Sequence, residues 1–194
     1  MYLPIMLEVE NKNILIIGAG TVAYKKAQKI VEQKGNVKVV SPRFNPDFDE
    51  LKNIKRIKDV YDKKYIKGHI LVIAATDHPS INKKINEDCR EENVLCNVVT
   101  DTHSDVIFPS HFNRGDLTMA VSTNGKSPAL SKKIINDLKQ HYDESYEERV
   151  QLLGEIRDIV LSLDCSQEER RDILNHIVEL EAIELRKLAK KEMK

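Results

Sequence analysis

Runs of branched apolar residues recur along the first hundred positions of the chain, and amphipathic or polar stretches separate them. The clearest run covers residues 14–17 and predicts a buried parallel strand, because such a strand is covered on both faces. Similar runs predict further strands over residues 37–40, 54–60, 69–75 and 94–99. A four-residue apolar spacing predicts a helix over residues 79–91. This alternation predicts an α/β fold with a doubly wound parallel sheet of the Rossmann type.

The first strand runs into the Gly-x-Gly-x-x-Ala pattern of residues 18–23, and a helical pattern follows it to about Gln33. Gly18 permits the tight turn, Gly20 lets the backbone approach a pyrophosphate, and Ala23 keeps the helix close to the strand. The free N–H groups at the start of that helix attract an anion. The pattern predicts a dinucleotide site, with a ligand-free turn as the alternative. No Gly-Lys-Ser/Thr follows, which disfavours a nucleotide triphosphatase.

The second predicted strand bears on the choice of cofactor. Gly35 is expected to supply the left-handed residue that ends the preceding helix. In many NAD enzymes an acid ends the second strand and binds the adenosine ribose. Here Ser41 holds that place, followed by Pro42 and Arg43. Ser41 can bond a ribose hydroxyl and Arg43 can meet a 2′-phosphate, so the residues alone leave NAD and NADP both open.

Small and polar residues end the later strands, at the edge where open parallel sheets bind ligands. Ala75, Thr76 and Asp77 follow the fourth strand, and Asn97 lies near the end of the fifth. The residues predicted to bind the cofactor are Gly18, Gly20, Thr21, Val22, Ser41, Pro42, Ala75, Thr76 and Asn97.

The pattern changes after Thr100. Two strands are predicted over residues 106–113 and 117–122, and such a ribbon is barely stable alone, so we expect it to pair with another element. A polar loop leads to Ser127, a good N-cap, and to Pro128 as the first residue of a helix.

The last fifty residues predict a small all-α domain. One helix is expected from Ser145 to about Leu163, and Ser166 with Glu169 forms a capping box for a second helix that extends past Leu188. Together they predict a helical hairpin that acts as a structural cap.

Composition narrows the function classes. The 194 residues are 41% hydrophobic and 32% charged, which is typical of a globular protein. Few aromatic residues and no Trp argue against a stacking platform for nucleic acid. The sequence shows neither a membrane-spanning run nor a signal pattern, so a cytoplasmic protein is expected. The cysteines Cys89, Cys96 and Cys165 lack the spacing of a disulfide framework or a zinc site.

Charge is balanced overall but unevenly distributed. Residues 143–194 carry 14 acids and 9 bases, a net of −5, which leaves 17 acids and 22 bases, a net of +5, on residues 1–142. This offset mildly favours an anionic ligand on the first part of the chain, although a solvated surface explains it almost as well.

Several fragments, in this order and spacing, resemble the precorrin-2 dehydrogenase family, the NAD-dependent part of siroheme synthases. They are Leu3-Pro4-Ile5, the corner of residues 18–23 followed by Lys25-Lys26-Ala27, Val40-Ser41-Pro42, Ala74-Ala75-Thr76-Asp77, Cys96-Asn97-Val98-Val99, Phe108-Pro109-Ser110 and the stretch from Ala120 to Pro128.

The resemblance implies three parts: an NAD-binding Rossmann domain over residues 1–112, a β-ribbon and helix dimerisation segment over 113–143, and a helical domain over 144–194. It implies that ribbons pair across a homodimer and that NAD oxidises precorrin-2 to sirohydrochlorin on the way to siroheme. Some members also insert iron. The methyltransferase domain of larger siroheme synthases is not in this sequence, so we do not expect the chain to make precorrin-2.

The reaction removes a hydride and a proton, so the site needs a proton acceptor. Asp101 is the predicted general base, because it leaves the carboxyl end of the sheet directly after strand five. The family pattern often has an aspartate immediately after Asn-Val-Val, where this chain has Thr100. His103 is a possible partner of the base, a metal-positioning group or a substrate contact, and Asp105 is the weaker alternative base.

Precorrin-2 carries many carboxylates, so its site needs cations and N–H donors. The predicted substrate residues are His103, Arg114, Thr123, Asn124, Gly125 and Lys126; Lys132 and Lys133 are further cations near them, and Thr123 matches a serine of the family that borders the substrate cavity. No metal ligands are predicted, because no Cys or His cluster has ligand spacing. An NAD(H)-sensing regulatory module and a chelatase without redox activity are the alternatives.

Overall fold

The computed structural model describes residues 2–99 and 104–191. The chain divides into two compact units, Met1–Phe108 and Pro109–Lys194. The predicted three-part division, with boundaries at residues 112 and 143, stays a prediction. In the described part of the chain no helix combines the length and the apolar character that crossing a membrane requires.

The first unit is built on a five-stranded parallel sheet in the order β3-β2-β1-β4-β5. Its strands are β1 (Asn13–Ile17), β2 (Asn36–Val40), β3 (Ile54–Ile57), β4 (Leu71–Ala74) and β5 (Leu95–Val98). Two helices accompany them, α1 (Thr21–Glu32) and α2 (Pro79–Glu91), with 3-10 turns at Pro46–Asp49 and Lys63–Tyr65. The predicted doubly wound sheet is confirmed, because this strand order reverses direction beside β1.

The four apolar residues of β1 are explained by cores on both faces of the sheet. Ile14 and Ile16 pack in the core that includes Ala23 and Ala27 of α1. Leu15 and Ile17 face the opposite core, which contains buried residues of α2. Each of these β1 side chains is at least 98% buried, and burial of such a side chain is worth about 2 kcal/mol.

Three predicted boundaries of the first unit are wrong. The third strand ends at Ile57, not at residue 60, because its neighbour β2 ends at Val40 and leaves no partner beyond that pair. The fourth strand is Leu71–Ala74, shorter than residues 69–75. The left-handed residue after α1 is Lys34, with φ 58°, rather than Gly35. Gly35 is needed for space, since a Cβ there would lie 2.5 Å from Cγ2 of Ile30.

The second unit opens with an antiparallel ribbon of β6 (Ser110–Arg114) and β7 (Leu117–Val121). The first strand of this ribbon, β6, therefore begins later than the predicted residue 106. Helix α3 (Pro128–His141) packs against both strands. Ser127 caps this helix and Pro128 begins it, as predicted, because the Ser127 hydroxyl accepts the Leu130 N–H at 3.3 Å.

The C-terminal helices are α4 (Ser145–Ser162), α5 (Gln167–Val178) and α6 (Ala182–Lys191). The capping box at Ser166 is confirmed, but the predicted two-helix hairpin is wrong, because the second helix breaks in two. The Arg149 guanidinium donates to the carbonyls of Val178 and Leu180, and the Glu181 N–H donates to Glu184. These contacts satisfy a helix end and a helix start without Gly or Pro.

Candidate dinucleotide-binding site

The turn after β1 is tight because Gly18 lies directly against the end of β4. Its φ is +104°, a conformation that side chains disfavour. A Cβ at this position would lie 2.3 Å from the carbonyl oxygen of Ala75. The Gly18 N–H donates to the Val40 carbonyl at 2.9 Å. Gly18 therefore joins the ends of three neighbouring strands into one edge.

Gly20 differs from Gly18 in both conformation and surroundings. It is the N-cap of α1, with an ordinary φ of −82°, and a Cβ built there meets no heavy atom within 4 Å. No side chain caps the helix at Gly20 and no acid lies in its first turn. An anion can therefore approach the backbone and the N–H groups of α1, so the residues present fit the diphosphate of a dinucleotide.

Asn45 closes the corner from the loop after β2, a role that the sequence analysis missed. Its N–H donates to the Ala19 carbonyl at 2.9 Å, and its amide group lies 3.5 Å from the Thr21 hydroxyl. Its side-chain oxygen accepts the Asp47 N–H at 3.1 Å. The Asn-Pro-Asp sequence was a recognisable capping signal. Only the fold, however, brings it to the glycine turn.

Thr76 is fixed after β4 by a side chain of α2. The Thr76 N–H and hydroxyl both donate to Oδ1 of Asn82, at 3.1 and 2.7 Å. Nδ2 of Asn82 returns a bond to the Thr76 carbonyl at 3.0 Å. Asn82 is fully buried, so this reciprocal pairing holds the loop rigidly at the edge of the sheet.

A cavity of about 720 Å³ lies over this edge of the sheet. Its volume is within the usual range for cofactor pockets. Of the nine residues predicted to bind the cofactor, the following eight line it: Gly18, Gly20, Thr21, Val22, Ser41, Pro42, Ala75 and Thr76. Their roles as ligands stay predictions, but the fold does bring them together. The lining residues that the sequence analysis missed include Phe44, Asn45, Val60, Tyr61, His78 and Ile81.

Asn97 is the one predicted cofactor residue that does not line the cavity. It is 6% exposed, and its side chain donates to the Val106 carbonyl at 2.8 Å. Strand alternation puts the Asn97 side chain on the face of the sheet opposite Cys96 and Val98. Asn97 therefore anchors the segment at Val106 to β5.

Two polar groups of the cavity wall already have partners. The Ser41 hydroxyl donates to the Arg43 carbonyl at 2.6 Å, and Ser41 is 7% exposed. The Tyr61 hydroxyl donates to Asp88 of α2 at 2.7 Å. Burial, and then this bond to a carboxylate, raises the pKa of Tyr61 far above its usual range, so Tyr61 is a neutral donor.

The predicted base Asp101 and its possible partner His103 lie outside the described residues. Asp105, the alternative base, accepts the Cys96 N–H at 3.3 Å and lies 3.8 Å from Nε of Arg90. These contacts give Asp105 a structural role beside β5 and α2.

The predicted substrate residues of the second unit have different environments. Arg114 donates to the Tyr142 carbonyl at 3.2 Å and pairs with Glu144 at 3.1 Å, and its side chain is 15% exposed. Thr123 accepts the Ser127 N–H at 3.0 Å and lies 3.2 Å from the Ser131 hydroxyl. Both residues therefore stabilise the unit itself.

The loop residues that follow Thr123 are more open. Asn124 and Gly125 have left-handed backbones, with φ of 51° and 79°, and the Lys126 N–H donates to the Thr123 carbonyl at 3.0 Å. The exposed Lys126 ammonium has no ion pair within the described residues. Across residues 2–99 and 104–191, no group of three His, Cys, Asp or Glu side chains could hold a metal ion.

The strand order, the glycine corner and the open helix start define a nucleotide-binding protein of the Rossmann class. The family model for NAD(P)-binding domains matches residues 5–110. The model for the central part of sirohaem biosynthesis proteins matches residues 114–141.

Similar proteins define the family more narrowly. The precorrin-2 dehydrogenase of Methanosarcina barkeri (strain Fusaro / DSM 804) is 32% identical, over 94% of this chain and 85% of that protein. That of Priestia megaterium is 27% identical, over 90% and 88% respectively. The solved structure of SirC, a precorrin-2 dehydrogenase, superposes with a TM-score of 0.81 at 26% identity and covers 98% of each chain. This chain belongs to the precorrin-2 dehydrogenase family, as its sequence fragments predicted.

The chain also resembles longer proteins. It is 32% identical to the siroheme synthase of Psychrobacter sp. (strain PRwf-1), over 82% of this chain but only 34% of that protein. This chain therefore matches about a third of the length of that protein.

Proposed function

We propose that this protein is an oxidoreductase that converts precorrin-2 to sirohydrochlorin with NAD, in siroheme biosynthesis. The observation that carries the proposal is the open space at Gly20, at an uncapped helix start, in a chain that belongs to this family. Named dehydrogenases among the relatives favour a redox enzyme over a regulatory NAD sensor or a chelatase alone.

The chain's own residues would bind and orient the cofactor. Gly20 and the first N–H groups of α1 receive the diphosphate, while Thr76, fixed by Asn82, positions the chain at the end of β4. When bound, NAD supplies a hydride acceptor. The substrate would lose a hydride to that acceptor and a proton to a base of the protein, and would gain a double bond.

The proton requires a base, and we propose Asp101. It follows Val99, which lines the cavity, by two positions. Asp105 makes a matched comparison, since it lies four residues further on and its carboxylate is engaged by the Cys96 N–H. Asp101→Asn should therefore lower kcat by about 100-fold or more, whereas Asp105→Asn should chiefly lower stability.

The loop of residues 123–126 is proposed to contact the substrate's carboxylates. Lys126 is the cation within this loop, and its exposed ammonium has no ion pair among the described residues, whereas Arg114 is committed to Tyr142 and Glu144. Lys126→Ala should raise KM with little change in kcat, as loss of a ground-state contact does. His103 stays a predicted contact.

The decisive experiment is anaerobic incubation of the purified protein with precorrin-2 and NAD, with sirohydrochlorin followed by its absorbance and NADH by fluorescence. Equal formation of both products supports the proposal. Product formation without NAD, or none with it, contradicts the proposal. Full turnover by Asp101→Asn would contradict only the assignment of the base. Sirohydrochlorin with ferrous ion, without NAD, tests iron insertion separately.

We further propose a homodimer in the cytoplasm. The β6–β7 ribbon has two strands, so each has an edge without a strand partner among the described residues. A solution mass near twice 22.3 kDa would support the dimer, and a strict monomer would contradict it. The three free cysteines are compatible with a reducing compartment, which cell fractionation would test.

A further inference from the structure

The segment after β2 lies beside the glycine turn, where a Rossmann site meets the adenosine ribose. The Val40 carbonyl accepts the Gly18 N–H at 2.9 Å, so residues after Val40 leave the sheet next to that turn. All five residues from Ser41 to Asn45 line the cavity. Their chemistry therefore decides which ribose the site accepts.

This segment contributes no carboxylate to the cavity. Ser41 holds the usual place of the acid, and its hydroxyl already donates to the Arg43 carbonyl. The single acid that the described residues contribute to the lining is Asp77, which follows β4, is 85% exposed and pairs with His78 at 3.4 Å. The carboxylate that would repel a 2′-phosphate is therefore missing from the place where NAD enzymes carry it.

Arg43 brings to the same place an exposed positive charge that no described residue pairs with. No described residue forms an ion pair or a hydrogen bond with its guanidinium. Arg56, on the neighbouring strand β3, contrasts with it, because Arg56 pairs with Asp49. A free guanidinium can bind a phosphate through two parallel N–H bonds.

We propose that the site binds NADP as well as NAD, and that Arg43 determines the acceptance of the 2′-phosphate. This inference rests on the dinucleotide site of the proposed function and goes beyond it. Two nearby acids do not oppose it: Asp47 and Glu50 lie outside the cavity lining, and Glu50 accepts a bond from the Tyr24 hydroxyl.

The test is calorimetric titration of the full chain with NAD+ and with NADP+, at low and at high salt. We expect the two dissociation constants to agree within about tenfold. Arg43→Ala should raise the ratio of the NADP+ constant to the NAD+ constant by about tenfold, and Arg43→Lys by less, because lysine keeps the charge without the planar fork. NADP+ binding should also weaken more steeply than NAD+ binding as the salt concentration rises.

Arg56→Ala is the matched control, because it removes a neighbouring arginine whose charge Asp49 neutralises, and it should leave the ratio unchanged. NADP+ binding about 1,000-fold weaker than NAD+ would overturn the inference and leave the proposed function intact. An unchanged ratio in Arg43→Ala would also overturn it. If neither nucleotide binds, the proposed function fails with it.

Discussion

Replacing either glycine of the corner by alanine should have a different effect: Gly18→Ala should lower stability, and Gly20→Ala should lower cofactor affinity. Gly18→Ala places a Cβ 2.3 Å from the Ala75 oxygen and 2.9 Å from the Thr76 nitrogen, at a φ of +104°. Both neighbours are backbone atoms, and the Ala75 N–H is bonded to the Ile17 carbonyl at 2.8 Å. The overlap therefore cannot be relieved without separating β1 from β4.

The cost of Gly18→Ala has two parts. The strained φ costs about 1–2 kcal/mol, and overpacking against a fixed backbone adds roughly 2 kcal/mol. Alanine also reduces the conformational entropy of the unfolded chain, which stabilises the folded state by about 0.4–1 kcal/mol and offsets part of this cost. We expect a net loss of about 3 kcal/mol in the free energy of unfolding of the first unit. For a unit of this size, that corresponds to a fall in Tm of about 10 °C or more.

Gly20→Ala should leave the fold almost unchanged. Its φ of −82° suits any residue and the built Cβ meets nothing within 4 Å. Alanine is a poorer N-cap than glycine by a few tenths of a kcal/mol to about 1 kcal/mol, and the smaller entropy of the unfolded chain offsets this. The added methyl does occupy the approach to the α1 N–H groups. NAD+ affinity should therefore fall by about tenfold or more, and further in Gly20→Val.

Hydrogen exchange of peptides from β1 and β4 measures the opening free energy of the first unit, and calorimetric titration measures NAD+ binding. The predicted pattern is a large stability loss for Gly18→Ala and a selective affinity loss for Gly20→Ala. Equal stability loss in both variants would refute the separation of roles. Wild-type NAD+ affinity in Gly20→Val would remove the corner from the site.

Three further predictions concern residues outside the corner. Burial lowers the pKa of Lys26 from its ordinary 10.5 to about 8. Between these pH values the unfolded chain binds more protons than the folded chain, so the free energy of unfolding should rise as pH rises from about 8 to 10.5. Lys26→Met should flatten that rise when stability is measured by urea unfolding. A hydrogen bond to Cys96, together with burial, raises the pKa of Cys89 far above its usual range. A thiol reagent should therefore label half-buried Cys165 in the native protein, and should reach the buried Cys89 and Cys96 only on unfolding. Arg114→Ala should destabilise the second unit by about 1–2 kcal/mol, measured by hydrogen exchange of its ribbon, and an unchanged protection would refute the structural role.

The apolar pattern predicted the sheet well because the fully buried strands permit few other arrangements. The four apolar residues of β1 must be covered on both faces, and the Gly-x-Gly-x-x-Ala pattern fixes the turn and the helix start after that strand. Strand ends were less predictable. Residues 58–60 look extended in sequence, but β3 stops where β2 stops, at the Val40–Ile57 pair. The length of a strand thus depends on its neighbour rather than on its own residues.

Long-range side-chain contacts account for the other misses. Arg149 ends α5 from 29 residues away, and neither Gly nor Pro marks that break in the sequence. Asn97 lies near a strand end, but alternation turns its side chain towards Val106 rather than the cavity. Asn45 carries a local capping signal, yet its bond to Ala19 exists only because β2 lies beside β1. Sequence periodicity identifies the edge that forms the site, whereas tertiary pairing selects which side chains reach it.

The contacts that shape the cavity are satisfied within the protein itself. Gly18 is bonded to Val40, Asn45 to Ala19, and Thr76 to Asn82, and none of these bonds needs a ligand. Among the described residues of the cavity wall, binding therefore has little loop ordering to offset, so affinity depends on what the open positions offer to the ligand. Gly20 offers space and N–H groups to the diphosphate, and Arg43 offers charge beyond it. The fixed contacts hold together the strand ends that form the site. Changes at the open positions can therefore alter cofactor choice without altering the fold.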